Sequence, residues 1–342
     1  MNRHVGQEKA SDRMPSVAAR SRESANPLYG YLPVNVELLR YIRIAVVDVF
    51  TQADHRHVPT LYCRAGLQLE NHQLLGLAEA GVRDVYVRTT DFPDFGAHLL
   101  ESVDNQIEQQ AVPAAERFAV MQLAVATEIE HATRMVDCGK LVSLSERTGR
   151  DLVSILAASP VLPCDLFRIA RHDFNTFTHV TNVASYCVVL AKCVGGCSRI
   201  ELEQIAIAAM LHDIGKRFIP ASVLTKPTRL LPAERELIET HPQRGYEELC
   251  ERADLTFGQL MMVYQHHEHV DGNGYPVRIT AADIHPWAKM LAVVDVFDAM
   301  TGKRPYRKRA STQIALRYLD QNAGSQFDPE VVQCWSSAMK NA

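Results

Sequence analysis

Several things are missing from this chain, and each absence narrows what it can be. It has eight cysteines but no paired metal-ligand spacing among them, so a cysteine-built metal site is excluded. Cys187, Cys193 and Cys197 lie in or just after an apolar helical run and read as small core thiols in a reducing compartment. No apolar run is long enough to span a bilayer: the longest, Val183 to Gly196, is interrupted by Lys192. Residues 1–27 are polar and lack an apolar h-region, so a disordered tail is expected rather than a signal peptide or anchor. A cytoplasmic location follows as an expectation. A strong charge of one sign is missing too. With a net charge of -4 nothing draws the whole molecule to a nucleic acid polymer or an anionic membrane, so an anionic substrate must be held by local positive charge or by metal. What is present is ordinary for globular protein. The 342 residues, 47% hydrophobic and 22% charged, suffice for two full cores and exclude a fibrous or wholly disordered chain.

Between Leu28 and Thr90 the signals alternate. Tyr41 to Phe50 reads as a strand, Thr60 to Arg64 as a short strand, Asn71 to Ala80 as a helix capped by Gly81, and Val82 to Arg88 as a strand. The expectation is a small α+β regulatory or docking domain over residues 28–96, with Asp91 to Gly96 as its exit. Residues 97–162 show helical periodicity through Phe118, Met121, Leu123, Val125, Ile129 and Met135 and read as a helical connector. Residues 163–342 read as an all-α domain, with turns at Gly195-Gly196, Lys226-Pro227, Leu231-Pro232 and Gly272 to Pro276. One hexapeptide occurs twice. Ala45-Val46-Val47-Asp48-Val49-Phe50 recurs as residues 292–297, the first copy among strands and the second in a helical region, so the two should fold differently. Asp48 then reads as a strand-edge carboxylate.

Two segments carry chemistry. Leu211-His212-Asp213-Ile214-Gly215-Lys216 supplies an imidazole and a carboxylate that can bridge two cations. Gln265-His266-His267-Glu268-His269-Val270-Asp271-Gly272-Asn273-Gly274-Tyr275-Pro276 adds two imidazoles suited to first-row transition metals. Neighbours on a helix point about 100° apart, so such pairs can straddle a site.

The order HDIGK, HPQRG, HHEHVDGNGYP resembles the HD-GYP family of bacterial cyclic di-GMP phosphodiesterases, within the HD superfamily of metal-dependent phosphohydrolases. The resemblance runs from about Leu166 to the C-terminus. His172 to His179 is similar to the family's opening helix and Asp295-Val296-Phe297-Asp298-Ala299 to its closing one. Arg304-Pro305-Tyr306-Arg307 and Phe327-Asp328-Pro329 fit as well.

The resemblance implies one metal held by His179, His212, Asp213 and Asp295 and a second by Asp213, His241, His266 and His267, with Asp213 bridging. It implies a water or hydroxide shared by the two as nucleophile. Fe or Mn is expected, with Ni and Zn also suited to such mixed shells. Lys216 and Asp298 join Asp213 as catalytic candidates. Lys216 would steady transition-state charge or orient the nucleophile, and Asp298 would bond a metal-bound imidazole or Lys216. The alternatives are a surface lysine, a solvated carboxylate and, for His241, a polar residue opening a helix before Pro242.

Arg304 and Arg307 match positions that grip substrate phosphate, although a run with five positive charges in seven residues is also what a solvated basic patch looks like. Tyr275 lies in the loop that borders the substrate, a loop implied to touch partners of the GGDEF type. Asn175 stands where family members with a third metal carry Glu. An amide is a poor ligand, so two metals are expected and not three. The function implied is hydrolysis of cyclic di-GMP to pGpG or GMP in bacterial signalling. The alternatives are a non-hydrolytic receptor or scaffold and an HD-type hydrolase of another nucleotide.

Overall fold

The computed structural model describes residues 30–42, 44–52, 57–109, 138–158, 176–224, 226, 228–302 and 310–340. It divides into two compact units, residues 1–94 and 95–342. The polar stretch 1–27 lies outside the described residues, as do residues 110–137 and 159–162 of the expected connector and the arginine-rich run 303–309. Most of the fold is helical, with one small antiparallel sheet.

The first unit is built on four strands, β1 (Tyr31–Asn35), β2 (Val49–Thr51), β3 (Thr60–Cys63) and β4 (Asp84–Arg88), in the order β1-β4-β2-β3. β1 pairs with β4 from Tyr31 opposite Arg88 to Asn35 opposite Asp84. Alternation along β1 sends Leu32 and Val34 inward to meet Val85 and Val87, all four buried. Helix α1 (Asn71–Glu79) packs on the segment Val36–Tyr41 and buries Leu74.

The strand expected over Tyr41 to Phe50 is much shorter: Tyr41 ends a 3-10 helix (Val36–Tyr41) and the chain bends at Val46 and Val47. Val36, Leu38, Leu39, Tyr41 and Ile42 are all buried, a helical spacing that an alternating strand cannot produce. Only Val49–Thr51 pairs as a strand, although Ile44 makes an isolated bridge to Gln68. The expected exit at Asp91 to Gly96 is a helix start: α2 (Phe92–Gln109) begins there, with Phe92 and Phe95 buried.

In the second unit the long helices are α3 (Cys138–Ala158), α4 (Thr176–Val194), α5 (Arg199–Leu211) and α10 (Pro286–Thr301). Between α5 and α10 come a 3-10 turn (Ile214–Phe218), α6 (Ala221–Leu224), α7 (Pro232–Glu239), α8 (His241–Leu249) and α9 (Phe257–Gln265). Helices α11 (Thr312–Gln321) and α12 (Pro329–Lys340) follow.

α4 is buried without a break from Val180 to Ala191, and α5 from Ile205 to Leu211, so these two form the centre of the bundle. α3 packs on α5, α10 packs on α4, α9 packs on α5 and α10, and α12 covers α4. Local chemistry sets the starts. Ser198 and Glu201 form a reciprocal cap on α5, Ser311 caps α11, and Pro286 occupies the first position of α10. Tyr186, Phe297 and Trp335 join α4, α10 and α12 through ring contacts of 5.2 to 6.2 Å.

The thiols differ in part from expectation. Cys187 is buried, but Cys193 is exposed and Cys197 half-buried, since the helical run ends at Val194 and leaves the bundle. Among the described residues no helix is long and apolar enough to cross a membrane.

Candidate metal centre

Three histidines occupy equivalent places at the ends of helices. His212 is the residue after α5, His266 the residue after α9, and His241 follows α7 by one intervening threonine. The last carbonyls of a helix have no partner within it. Here each histidine serves one. Nδ1 of His212 lies 2.6 Å from the Ala209 carbonyl, Nδ1 of His241 2.7 Å from that of Ile238, and Nδ1 of His266 2.8 Å from that of Val263. A carbonyl only accepts, so each Nδ1 carries the proton and, in the neutral imidazole, each Nε2 presents a bare lone pair.

Those lone pairs face one another. Nε2 of His241 is 3.2 Å from Nε2 of His266 and 3.3 Å from Oδ1 of Asp213. Nε2 of His212 is 3.3 Å from Oδ2 of Asp213. His212 Nε2 and Asp213 Oδ1 are buried and have no hydrogen-bond partner. Buried acceptors placed against acceptors are costly unless something positive lies between them. Two ligands each about 2.1 Å from one cation, at right angles to each other, would stand about 3 Å apart, close to these spacings. Helix C-termini carry partial negative charge and favour cations as well.

Among the described residues two clusters could hold a metal ion: His241 with His266 and His267, and His179 with His212 and Asp213. Asp213 stands between them, Oδ2 toward His212 and Oδ1 toward His241 and, at 3.9 Å, His266. Asp295, from α10, reaches His179 Nε2 at 3.0 Å and His212 Nε2 at 3.9 Å. Behind His179, Oδ2 of Asp298 accepts from Nδ1 at 2.7 Å, and Asn182 donates to the other oxygen at 3.0 Å. The residues of this site fit metal: neutral imidazoles and ionised carboxylates, fixed from behind.

Electrostatics agree with that chemistry. Burial, with the nearby His267, His212 and His241, pushes the His266 imidazole far below its ordinary range. Burial, with His241 close by, pushes His267 down to about 3. Burial works against a charged His179, but hydrogen bonds to Asp295 and Asp298 outweigh it and hold the ring protonated up to about 10. That proton takes the place a cation would occupy. Burial would raise Asp213, yet its neighbours His212 and Lys216, with hydrogen bonds from His212 and His241, hold it well below the usual carboxylate range. Burial would likewise raise Asp295, and its bond to His179 holds it far down.

The turn that carries Lys216 depends on a glycine. A Cβ on Gly215 would run into the carbonyl oxygen of His241, so only glycine lets the 3-10 turn lie against the start of α8. Within that turn Lys216 Nζ donates to Asp213 Oδ2 at 2.6 Å. Tyr275 stacks on His267 with ring centroids 4.7 Å apart and an interplanar angle of 26°. It meets His241 edge-on at 6.4 Å.

An HD domain profile matches residues 168–331. A cyclic di-GMP phosphodiesterase of Pseudomonas aeruginosa is 30% identical over 301 residues, 81% of this chain and 70% of that protein. The chain belongs to the HD-GYP family. A 3'3'-cGAMP-specific phosphodiesterase of Vibrio cholerae is 36% identical over 56% of the HD-GYP chain, which spans 35% of that relative. An HDG"Y"P protein of Bdellovibrio bacteriovorus shares the fold, with a TM-score of 0.69 at 16% identity over 91% of this chain and 99% of that one.

The HD-GYP structure thus gathers His179, His212, Asp213, Lys216, His241, His266, His267, Tyr275 and Asp295 in one place. Asp298 bonds the His179 imidazole from behind, one of the two partners expected for it. Arg304, Arg307 and Asn175 lie outside the described residues. Sequence reasoning passed over three residues that brace the site: Asn182, Gln265 and Glu268. Gln265 Oε1 accepts from the His285 amide at 2.7 Å, and Glu268 accepts from the amides of Val277 and Arg278. Gln265 and Glu268 bond to backbone, which leaves no signature in the partner's residue type. Their only signal was position, one on each side of the His-His pair.

Proposed function

We propose that the chain is a metal-dependent phosphodiesterase that hydrolyses cyclic di-GMP. The observation that carries the reading is the set of unprotonated Nε2 atoms turned toward Asp213, each oriented by a backbone carbonyl. Residues placed this way have little reason to persist as a purely apolar-packed scaffold, because their burial is unfavourable without a cation.

In this reading His179, His212, Asp213 and Asp295 hold one metal and Asp213, His241, His266 and His267 a second, with Fe or Mn suited to the mixed shell. Bound dications supply an activated water, relief of negative charge on the phosphoryl oxygens and help for the departing alkoxide. The protein's own groups do the rest. Asp213 serves both clusters through separate oxygens. Asp298 fixes the His179 ring and keeps its Nδ1 proton in place. Lys216, held against Asp213, keeps a positive charge where a phosphoryl oxygen would arrive. Tyr275 covers the second cluster and orients what enters. Arg304 and Arg307 are assigned to substrate phosphates on the resemblance, and a third metal is not expected at Asn175.

Residues 28–96 are assigned a regulatory or docking role. The free thiols suit a reducing, cytoplasmic setting. The similarity to a 3'3'-cGAMP-specific enzyme favours one second reading, a related guanine-containing cyclic dinucleotide as substrate. Protein loaded with Mn or Fe under anaerobic conditions and given cyclic di-GMP, 3'3'-cGAMP and linear pGpG separates these. Cleavage of cyclic di-GMP with the highest kcat/KM is expected. Faster cleavage of 3'3'-cGAMP would move the assignment to the second reading, and tight binding without product from either would point to a receptor.

A further inference from the structure

The loop that carries Tyr275 is anchored by a single buried carboxylate. Glu268 is 3% exposed, and nothing of opposite charge touches it within hydrogen-bonding reach among the bonds of the described residues. Instead it collects backbone amides. Oε1 accepts from Val277 N at 2.6 Å and Arg278 N at 3.1 Å, and Oε2 accepts from Arg278 N at 3.0 Å.

Arg278 has φ of 67°, a left-handed conformation that costs a non-glycine residue about 1 kcal/mol and persists only where surrounding bonds impose it. The loop is closed from its other side as well. The Tyr275 amide donates to the His267 carbonyl at 3.1 Å. A Cβ on Gly274 would run into the backbone of His267 and His269. The chain therefore leaves the metal ligand His267, turns through Gly274, sets Tyr275 flat on the His267 ring and is locked two residues later by Glu268.

We infer that Glu268 is a positioning residue, whose buried carboxylate sets the Tyr275 ring against His267 by holding the Val277 and Arg278 amides. It touches neither substrate nor metal and acts through Tyr275. The neighbouring Gln265 performs the parallel task for α10, since its bond to His285 N fixes the start of the helix that bears Asp295. The His266-His267 pair is thus bracketed by two side chains that hold the segments packed around it.

The inference rests on the reading of this cluster as part of a hydrolytic site, and the test keeps the two apart. Glu268→Gln keeps shape and one acceptor oxygen but turns an amide group toward the Arg278 N–H. Full-length protein, Glu268→Gln, Tyr275→Ala and the double variant are loaded with Mn and assayed on bis(4-nitrophenyl) phosphate, a diester independent of nucleotide identity, with bound metal measured in each.

Glu268→Gln should lower kcat about tenfold at unchanged metal content, the scale typical of groups that orient a site from behind. In the Tyr275→Ala background the same change should cost less than about twofold, since residues acting as one unit are not additive. An equal loss in both backgrounds, no effect of Tyr275→Ala alone, or loss of metal from Glu268→Gln would overturn the inference. A second arm does not need turnover. Exchange of the Arg278 amide should speed up at least about tenfold in Glu268→Gln, as expected when a bond protecting it is lost. Unchanged exchange would overturn the inference even in an inactive protein. Activity on the model diester but none on cyclic di-GMP would instead count against the proposed substrate alone.

Discussion

The hexapeptide Ala-Val-Val-Asp-Val-Phe appears twice, and the two copies have no shape in common. At residues 45–50 the chain is not helical: it bends at Val46 and Val47, Ala45, Val47, Val49 and Phe50 are buried, Val46 is 37% exposed, and Val49 starts a strand. At residues 292–297 it is helical, with Val293, Val294, Asp295 and Phe297 buried and Ala292 and Val296 half-buried. Period two has become a helical period.

Three valines and a phenylalanine favour a strand, so the second copy is the one overruled. Its neighbours overrule it. Pro286 starts the helix, Ala288 to Leu291 and Ala299-Met300 are good helix formers, and the face that results packs on α4. The aspartates part company accordingly. Asp48 accepts the Ala65 amide at 3.0 Å and stands 3.7 Å from Arg88, a local turn-fixing role. Asp295 lies 3.0 Å from a buried imidazole in the candidate metal centre. The difference teaches that a carboxylate's function here is set by the element beneath it.

The largest test of that contrast is to neutralise each aspartate. Asp295→Asn should cut kcat/KM on cyclic di-GMP by at least about a hundredfold and weaken metal retention, because a charged ligand is lost. Asp48→Asn should leave turnover untouched and cost about 0.5–1 kcal/mol in a denaturant titration. Equal kinetic effects would break the comparison.

A smaller effect sharpens it. Asp298→Asn, one helical turn beyond Asp295, should lower metal affinity about 10- to 100-fold by releasing the His179 ring, read by competition with a chelator. Smallest is the exchange of rank between matching valines. Val293→Thr places a hydroxyl at a fully buried site and should cost about 1–2 kcal/mol, whereas Val46→Thr should stay within about 0.5 kcal/mol. At the last matching pair of valines the order reverses, since Val49 is 1% exposed and Val296 half-buried. Thermal melts of the four variants check this.

Much of the site was legible because metal ligands must be particular residue types. His212-Asp213 and His266-His267 advertise themselves as pairs, and the resemblance then picked out His179, His241 and Asp295, which no local pattern distinguishes. The role of Asp298 was half legible: its spacing from Asp295 put it on the right face, but only the fold shows that it meets His179 and not Lys216.

Glu268 and Gln265 could not be read, because a side chain that bonds to distant amides leaves no trace in the composition of its partner. In the first unit the helix Asn71–Glu79 and the strands Thr60–Cys63 and Asp84–Arg88 follow from periodicity and turn residues. The 3-10 helix Val36–Tyr41 does not, since Val-Glu-Leu-Leu-Arg-Tyr fits either a helix or a strand and burial of both leucines decides it.

The central claim is that Asp213 joins two cation-binding clusters into one hydrolytic centre. Metal analysis of anaerobically purified protein alongside Asp213→Ala, with cyclic di-GMP turnover measured on the same samples, tests it most directly. Two ions per chain with activity, and loss of both metal and turnover in the variant, is the predicted result. Undiminished turnover in Asp213→Ala, or in wild-type protein stripped of metal, would contradict it.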